Sequence, residues 1–330
     1  MLHKRKFSLI LCLLMTIFLF GCGGQTIIHE IEKIDDDLFS VHFLNVGQGD
    51  CTFISLPDGK NVLIDTGEAD RLNENRQCII NYLNAYDVQT IDYLILTHPD
   101  SDHVGNAEYI INNFEIKNAF IPYVLGALRP NYYYFERAYT ALEQEGANVI
   151  ISDCYRYVKG ENYAYAFLSP KPKDMLDSSY SDFNGMLVPN EQASNDLSPI
   201  IYFEAFNKRF IFTGDAGKKQ ENMVLQNYSI GLYDTIFARH GISVILEEID
   251  CLKVGHHGSD SSSGVNFINL LSPKNAVISV GGNNYYGHPS TKTLESLERA
   301  NPNYTLYRTD YHGTIVFRYN SEESCFITFT

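Results

Sequence analysis

Thr97-His98-Pro99-Asp100-Ser101-Asp102-His103-Val104-Gly105 is the stretch on which the reading of this chain turns. It follows Ile91 to Leu96, a short apolar run that reads as a strand buried on both faces. It leads into a helix-like stretch from Val104. Four metal-capable side chains, His98, Asp100, Asp102 and His103, fall within six residues at the strand's C-terminal edge. In a tight turn His98 and Asp100 face one way and Asp102 and His103 the other, which suits two adjacent cations better than one. The bland alternative is a polar surface loop. A chance H-x-D-x-D-H between a buried strand and a helix is improbable.

Three later segments supply what this loop lacks. Thr213-Gly214-Asp215 ends a hairpin strand. Gly255-His256-His257-Gly258-Ser259 ends another buried strand, and Gly287-His288-Pro289 follows the strand of Ala276 to Val280. A lone Asp after a strand is usually a turn or cap residue. Here each strand end of the region delivers an Asp or a His, and open sheets place their sites at such ends.

Outward from these motifs the pattern is repetitive. Phe39 to Val46 alternates as a strand, Gly47 to Asp50 is a turn, and Cys51 to Leu56 is a second strand. Pro57-Asp58-Gly59-Lys60 is a hairpin turn before the strand Asn61 to Ile64, which closes on Asp65. Residues 74–85 have helical spacing. In the second half Ile200 to Phe206 and Arg209 to Thr213 form a hairpin, and residues 216–227 look helical. Buried strands at Cys251 to Val254 and Ala276 to Val280 have a helix between them, and residues 290–300 form a helix capped by Ser290 or Thr291. Three strands, Thr305 to Tyr307, Thr314 to Tyr319 and Cys325 to Phe329, end the chain. Each half opens with antiparallel strands and proceeds to strand–helix units. The fold class expected is therefore α/β: two sheets face to face with helices outside, an αββα sandwich of four layers. The middle, 120–195, reads as Tyr-rich and irregular, with a helix near 132–145 and long loops at 170–195.

The 330 residues carry 25 Lys and Arg against 40 Asp and Glu, a net charge of −15. Such a balance argues against electrostatic capture of nucleic acid or anionic membrane. Residues 1–21 read as a lipoprotein signal peptide: Lys4, Arg5 and Lys6 precede an apolar run from Phe7 to Phe20, and Leu19-Phe20-Gly21-Cys22 resembles a lipobox. Residues 22–37 are then a tether from lipidated Cys22, and 38–330 the folded domain. Cleavage removes three basic residues and leaves −18. The protein is expected on the extracellular face of a bacterial membrane, held only by that lipid, or secreted if Cys22 carries none. No protein partner is expected. Of the seven Cys, Cys51, Cys78, Cys154, Cys251 and Cys325 show no C-x-x-C spacing. They read mostly as small buried hydrophobes.

Taken together, Val46-Gly-Gln-Gly-Asp50, Leu63-Ile-Asp-Thr-Gly67, Leu96 to Gly105, Phe212-Thr-Gly-Asp215, Leu252-Lys-Val-Gly-His-His-Gly-Ser259 and Tyr286-Gly-His-Pro289 resemble the metallo-β-lactamase-fold hydrolases, and most closely the hydrolase domain of the ComEC-type competence proteins. The resemblance covers about residues 40–318. It implies that His98 and Asp100 hold one metal ion, that Asp102, His103 and His256 hold the other, and that Asp215 bridges them. Asp65 would fix the His-bearing loop through hydrogen bonds. His256 and His257 both compete for the late position. His256 is preferred because it directly follows a Gly at a strand end, which leaves His257 to hydrogen-bond behind it. Many relatives have His in place of Asp100 and a further ligand His before the bridging Asp. This chain has no His from 104 to 239, and Ser194-Asn195-Asp196 stands where ComEC-like relatives are Asn/Asp-rich. The ions would be zinc or manganese, with oxygen-rich ligation favouring the harder one.

Two such cations activate a water and clamp an in-line displacement at phosphorus. They also supply the positive charge that an acidic protein lacks. The resemblance thus implies a metal-dependent hydrolase of phosphodiesters, with nucleic acid, single-stranded DNA included, as first substrate. Asp102 would orient the water and His288 assist the leaving group. Alternatives are a phosphoesterase on cell-envelope phosphates and a non-catalytic binding lipoprotein on the same fold. No Gly-x-Ser-x-Gly elbow is present. His42 reads as a packed residue, His240 as surface and His312 as a turn residue. Tyr132-Tyr133-Tyr134 reads first as an inward-packing helix face, and second as a platform for bases.

Overall fold

The computed structural model describes residues 37–124, 132–171, 181–183, 186–188, 194–320 and 325–329. The signal segment and nearly all of the tether lie outside the described residues, as does most of the loop region at 170–195.

Period-two alternation builds the first sheet. Its strands are β1 (Asp37–Phe43), β2 (Thr52–Ser55), β3 (Asn61–Ile64), β4 (Thr90–Ile95), β5 (Glu115–Ile121) and β6 (Asn148–Ile151). Along β1, Phe39, Val41 and Phe43 belong to the core between the sheets, while His42 turns to the other face. The second sheet holds β7 (Tyr157–Lys159), β8 (Tyr163–Phe167), β11 (Ile201–Ala205), β12 (Lys208–Phe212), β13 (Cys251–Lys253), β14 (Asn275–Ile278) and β15 (Thr305–Arg308); β9 (Ser181–Phe183) and β10 (Met186–Val188) pair apart as a hairpin. The chain then returns to the first sheet through β16 (Ile315–Asn320) and β17 (Cys325–Phe329), with β16 antiparallel to β1.

Three apolar layers separate four structural ones. Phe39, Phe43 and Phe317 of the first sheet meet Phe203, Phe210 and Phe212 of the second, with Phe39 stacked on Tyr319 at 4.5 Å between ring centroids. Helices α1 (Glu74–Ala85), α2 (Ser101–Val104), α3 (Ala107–Ile111) and α4 (Tyr133–Glu145) follow strands of the first sheet. Ile79, Leu83, Ile110 and Leu142 bury the outer face of that sheet. Helices α5 (Lys218–Ser229), α6 (Leu232–Phe237), α7 (Val265–Leu271) and α8 (Thr291–Ala300) cover the second sheet through Val224, Phe237, Phe267 and Leu297. Ser290 caps α8 by accepting a hydrogen bond from the Thr293 amide. This is the αββα sandwich the alternation predicts.

One sequence expectation needs correction. Among the described residues the middle of the chain is more regular than expected: the helix near 132–145 is present as α4, and β6, β7 and β8 lie there too, with the edge positions of β6 and β7 leaving much of both half-exposed, which blurs the alternation. Cys51, Cys154 and Cys251 are buried as expected, whereas Cys78 is exposed on α1. No helix among the described residues is long and apolar enough to cross a membrane.

The topology fixes where a site can form. Strands β3, β4 and β5 run parallel in one sheet, and β12, β13, β14 and β15 run parallel in the other. The loops that follow β3, β4, β12 and β13 carry Asp65, His98 to His103, Asp215 and His256-His257.

Candidate metal centre

Asp65 organises the first half of the site. It sits in a left-handed backbone conformation, with φ 60°, which a non-glycine residue adopts at a cost of about 1–3 kcal/mol. Its carboxylate accepts from the Thr97 amide at 2.8 Å and from the Thr97 hydroxyl at 2.7 Å. It also accepts from Nδ1 of His103 at 2.8 Å. A carboxylate only accepts, so His103 carries its proton on Nδ1 and presents a bare Nε2 when neutral. The Thr97 hydroxyl has spent its single proton on Asp65. It therefore accepts from Nδ1 of His98, 3.1 Å away, and Nε2 of His98 is bare by the same logic.

The second half repeats the device. His256 and His257 both have positive φ, 48° and 52°. Two successive left-handed residues turn the chain sharply after β13. Nδ1 of His257 donates to the Ser279 carbonyl at 2.9 Å, beyond the end of β14, and its Nε2 meets Oδ2 of Asp102 at 3.2 Å. Nδ1 of His256 meets the Ser261 hydroxyl at 2.8 Å. Asp215 lies between the two sets. Its Oδ1 is 3.2 Å from Nε2 of His103, and its Oδ2 is 3.8 Å from Nε2 of His257. On the other side Oδ2 is 3.6 Å from Nε2 of His256 and 4.0 Å from Nε2 of His98.

Donor atoms of Asp102, His103, Asp215 and His257 all lie within 4.8 Å of one another. Asp100 joins His98 on the opposite flank, 3.5 Å from its Nε2. Nε2 of His98, Nε2 of His103 and Oδ1 of Asp215 are buried without hydrogen-bond partners. Buried polar atoms are rarely left so. Lone pairs converging from imidazoles and carboxylates call for a cation, and the residues present fit divalent metal ions. Protonation tells the same story. Burial disfavours charge on Asp215, yet the neighbouring His103 and His257 hold its carboxyl well below the usual carboxylate range. Burial likewise opposes a proton on His103 and on His257, and the surrounding carboxylates overcome it and raise both. His256 and His288, less enclosed by carboxylates, are pushed down by burial.

The structure departs from expectation at several positions. His257 joins the compact four-residue group and is buried, whereas His256, placed by the sequence among the ligands, stands across Asp215 and partly faces the cavity. The left-handed pair and the Ser279 carbonyl cause this, and neither is visible locally. Asn195 lines the cavity, but Asp196 turns away toward Lys219, 3.6 Å off. Two hydroxyls beside them, Ser194 of the same motif and Ser198, also reach the site. Ser194 donates to Asp100 at 3.1 Å. Ser198 lies 3.1 Å from Nδ1 of His98 and accepts from the Asp215 amide. Sequence reasoning looked for carboxylates and imidazoles there and passed over hydroxyls. Asp50 and Lys253, inside quoted motifs but assigned no role, form a buried ion pair behind the site.

His288 lines the same cavity, its ring edge-on to His256 at 5.8 Å and stacked on Tyr286 at 5.7 Å. The cavity holds about 630 Å3, and Tyr132, Tyr133 and Tyr134 form part of its wall. Those tyrosines are not simply an inward face, although Tyr132 and Tyr134 also pack on the core. His42 is buried between Tyr82 and Ser40, 2.7 Å from each hydroxyl, and takes no part in the site. The Gly47 to Asp50 turn braces the metal loop. A Cβ on Gly49 would lie 2.4 Å from the Asp102 carbonyl, which accepts from the Asp50 amide at 3.1 Å.

A sandwich of two sheets with an Asp/His cluster at the ends of its parallel strands defines the class, and residues 44–282 match the family model of the Metallo-beta-lactamase superfamily: the chain belongs to that superfamily. More particularly, its curated relatives are of the ComEC type. It is 31% identical over 301 residues to ComE operon protein 3 of Bacillus subtilis (strain 168), covering 87% of this chain and 34% of that protein. It is 27% identical over 286 residues to Competence protein ComA of Neisseria gonorrhoeae, covering 87% of this chain and 33% of that one. The chain thus spans about a third of the length of these relatives. Among solved structures, the metallo-beta-lactamase fold protein YhfI from Bacillus subtilis matches with a TM-score of 0.47 and 10% identity, over 85% of this chain and 99% of that one.

Proposed function

We propose that this protein is a metal-dependent phosphodiesterase acting on single-stranded nucleic acid at the extracellular face of a membrane, held there by lipid on Cys22. The observation that carries the reading is the convergence of bare imidazole nitrogens and carboxylates from both sheets around Asp215, at the floor of a cavity walled by tyrosines. His98, Asp100 and His256 would hold one divalent ion and Asp102, His103 and His257 the other, with Asp215 shared. When bound, such ions supply Lewis acidity and a water acidified to near neutral pH.

The chain's own residues do the rest. No Lys or Arg lines the cavity among the described residues, and the ion positions would supply positive charge to a phosphate entering it. Tyr286 and the Tyr132 to Tyr134 wall offer ring faces to the groups flanking that phosphate, and base stacking on aromatic side chains contributes about 1–3 kcal/mol per base. Asp102, on the cavity side of the cluster, orients the attacking water. His288, at the cavity wall beside His256, is placed to pass a proton to the leaving oxygen. Its backbone is clamped on both sides by Asn284, and Tyr286 covers its ring.

The test is turnover of bis-p-nitrophenyl phosphate and of a labelled single-stranded oligonucleotide by full-length protein supplied with manganese or zinc. Hydrolysis of both is expected, with loss of both in Asp215→Asn. Failure on both substrates with bound metal would favour a binding role instead.

A further inference from the structure

Behind the cluster, away from the cavity, lies a second set of acidic groups. Asp50, Asp65 and His103 offer donor atoms within 4.8 Å of one another. The ammonium of Lys253, itself 3% exposed, bonds Oδ2 of Asp50. The pair joins residues from the two sheets and buries both charges, which is costly unless geometry and charge balance favour it. The other oxygen of Asp50, Oδ1, is buried without a hydrogen-bond partner and lies 3.5 Å from Nδ1 of His257. Oδ2 lies 4.0 Å from Nδ1 of His103.

Asp50 is therefore a competitor. A carboxylate is a stronger acceptor than the Ser279 carbonyl that holds His257. A shift of Asp50 toward either ring would rotate that ring and re-aim its Nε2. Charge balance points the same way. Asp50, Asp65, Asp100, Asp102 and Asp215 bring five carboxylates together, and two divalent ions leave one of those charges unmet. Lys253 is the only ammonium bonded to any of these five carboxylates among the described residues.

We propose that Lys253 is a fixed internal cation that pins Asp50 away from the imidazoles, so that His103 and His257 keep their Asp65 and Ser279 partners and aim Nε2 at the metal ions. It is a positioning residue: it reaches the reaction only through these histidines. The inference rests on the two-ion reading above.

The experiment measures zinc stoichiometry and affinity, by chelator competition, for full-length wild type, Lys253→Met, and the double variant Asp50→Asn with Lys253→Met, alongside the thermal stability of each metal-free chain. In Lys253→Met, zinc affinity falls tenfold or more, the range seen when outer partners of ligating histidines are lost. The double variant removes the competitor with the cation, and its affinity returns to within threefold of wild type. Affinity within threefold of wild type in Lys253→Met overturns the proposal, as does a double variant no better than the single one. If Lys253→Met does not fold, the double variant decides. Folding with near wild-type affinity supports the pinning role; a tenfold loss, or failure to fold, makes the pair a structural element only. Wild type that binds no zinc would instead sink the metal reading of the site itself.

Discussion

Oδ1 of Asp215, carried by one sheet, stands 3.2 Å from Nε2 of His103, carried by the other. Neither sheet holds the cluster alone. Asp65, Asp102 and His103 follow strands of the first sheet, while Asp215 and His257 follow strands of the second. The packing of Phe43 against Phe212, with ring centroids 6.1 Å apart, is thus part of what sets the spacing of the donor atoms.

Asp65→Asn tests the tautomer argument. An amide at 65 still accepts from Thr97, yet it can turn an NH2 toward Nδ1 of His103. That ring then carries its proton on Nε2, where an ion needs a lone pair. Metal affinity is expected to fall by about 10–100-fold with the fold retained. Competition with a chelator measures the affinity, and circular dichroism checks the fold. Wild-type affinity in this variant would refute the tautomer argument.

His256→Ala and His257→Ala separate the two candidates for the late ligand. Because His257 belongs to the compact group with Asp102, His103 and Asp215, its loss should remove one bound ion per chain. His256→Ala should leave that ion in place and weaken the one beside His98. Metal content after gel filtration, compared between the variants, gives the answer. The reverse pattern would restore His256 to the position that its sequence context favoured.

Tyr286→Ala should separate small from polymeric substrates. The ring is largely exposed and lies parallel to that of His288. Its loss is expected to weaken oligonucleotide binding by about 1–3 kcal/mol if one base stacks there, with turnover of bis-p-nitrophenyl phosphate changed by less than about threefold. Equal losses on the two substrates would mean that the ring acts through His288.

His42 sets a pH dependence of stability away from the site. Burial, aided by Arg318, holds its pKa well below the ordinary 6.5. The native state therefore prefers the neutral ring, and the unfolded chain takes up the proton first as pH falls. The associated stability is complete above pH 6.5 and declines below it by about 1.4 kcal/mol per pH unit for one proton. Urea midpoints from pH 8 to 5 should fall more steeply for wild type than for His42→Asn. Parallel slopes would show that His42 does not carry the effect.

Much of this was legible in the sequence because it is local. Phe39, Val41 and Phe43 alternate within one strand, and His98 to His103 sit on one loop after a buried run. A strand that ends in a ligand needs no knowledge of the rest of the chain. The edge strands β6 and β7 were not legible, because half-exposed residues such as those of Tyr157–Lys159 carry no clean period.

The sequence by itself determined the sandwich, the strand-end placement of Asp65, His98, Asp102, His103 and Asp215, and the kind of atoms they offer. Tertiary structure alone put His257 in the compact group with Asp102, His103 and Asp215 and His256 across Asp215 from it, set Tyr132 to Tyr134 along the cavity, and joined Asp50 to Lys253 across 203 positions. The reason is physical. Which atoms a residue offers follows from its type, and strand direction follows from near neighbours. Where a ring points follows from partners such as the Ser279 carbonyl, which reach it only when the sheets have closed.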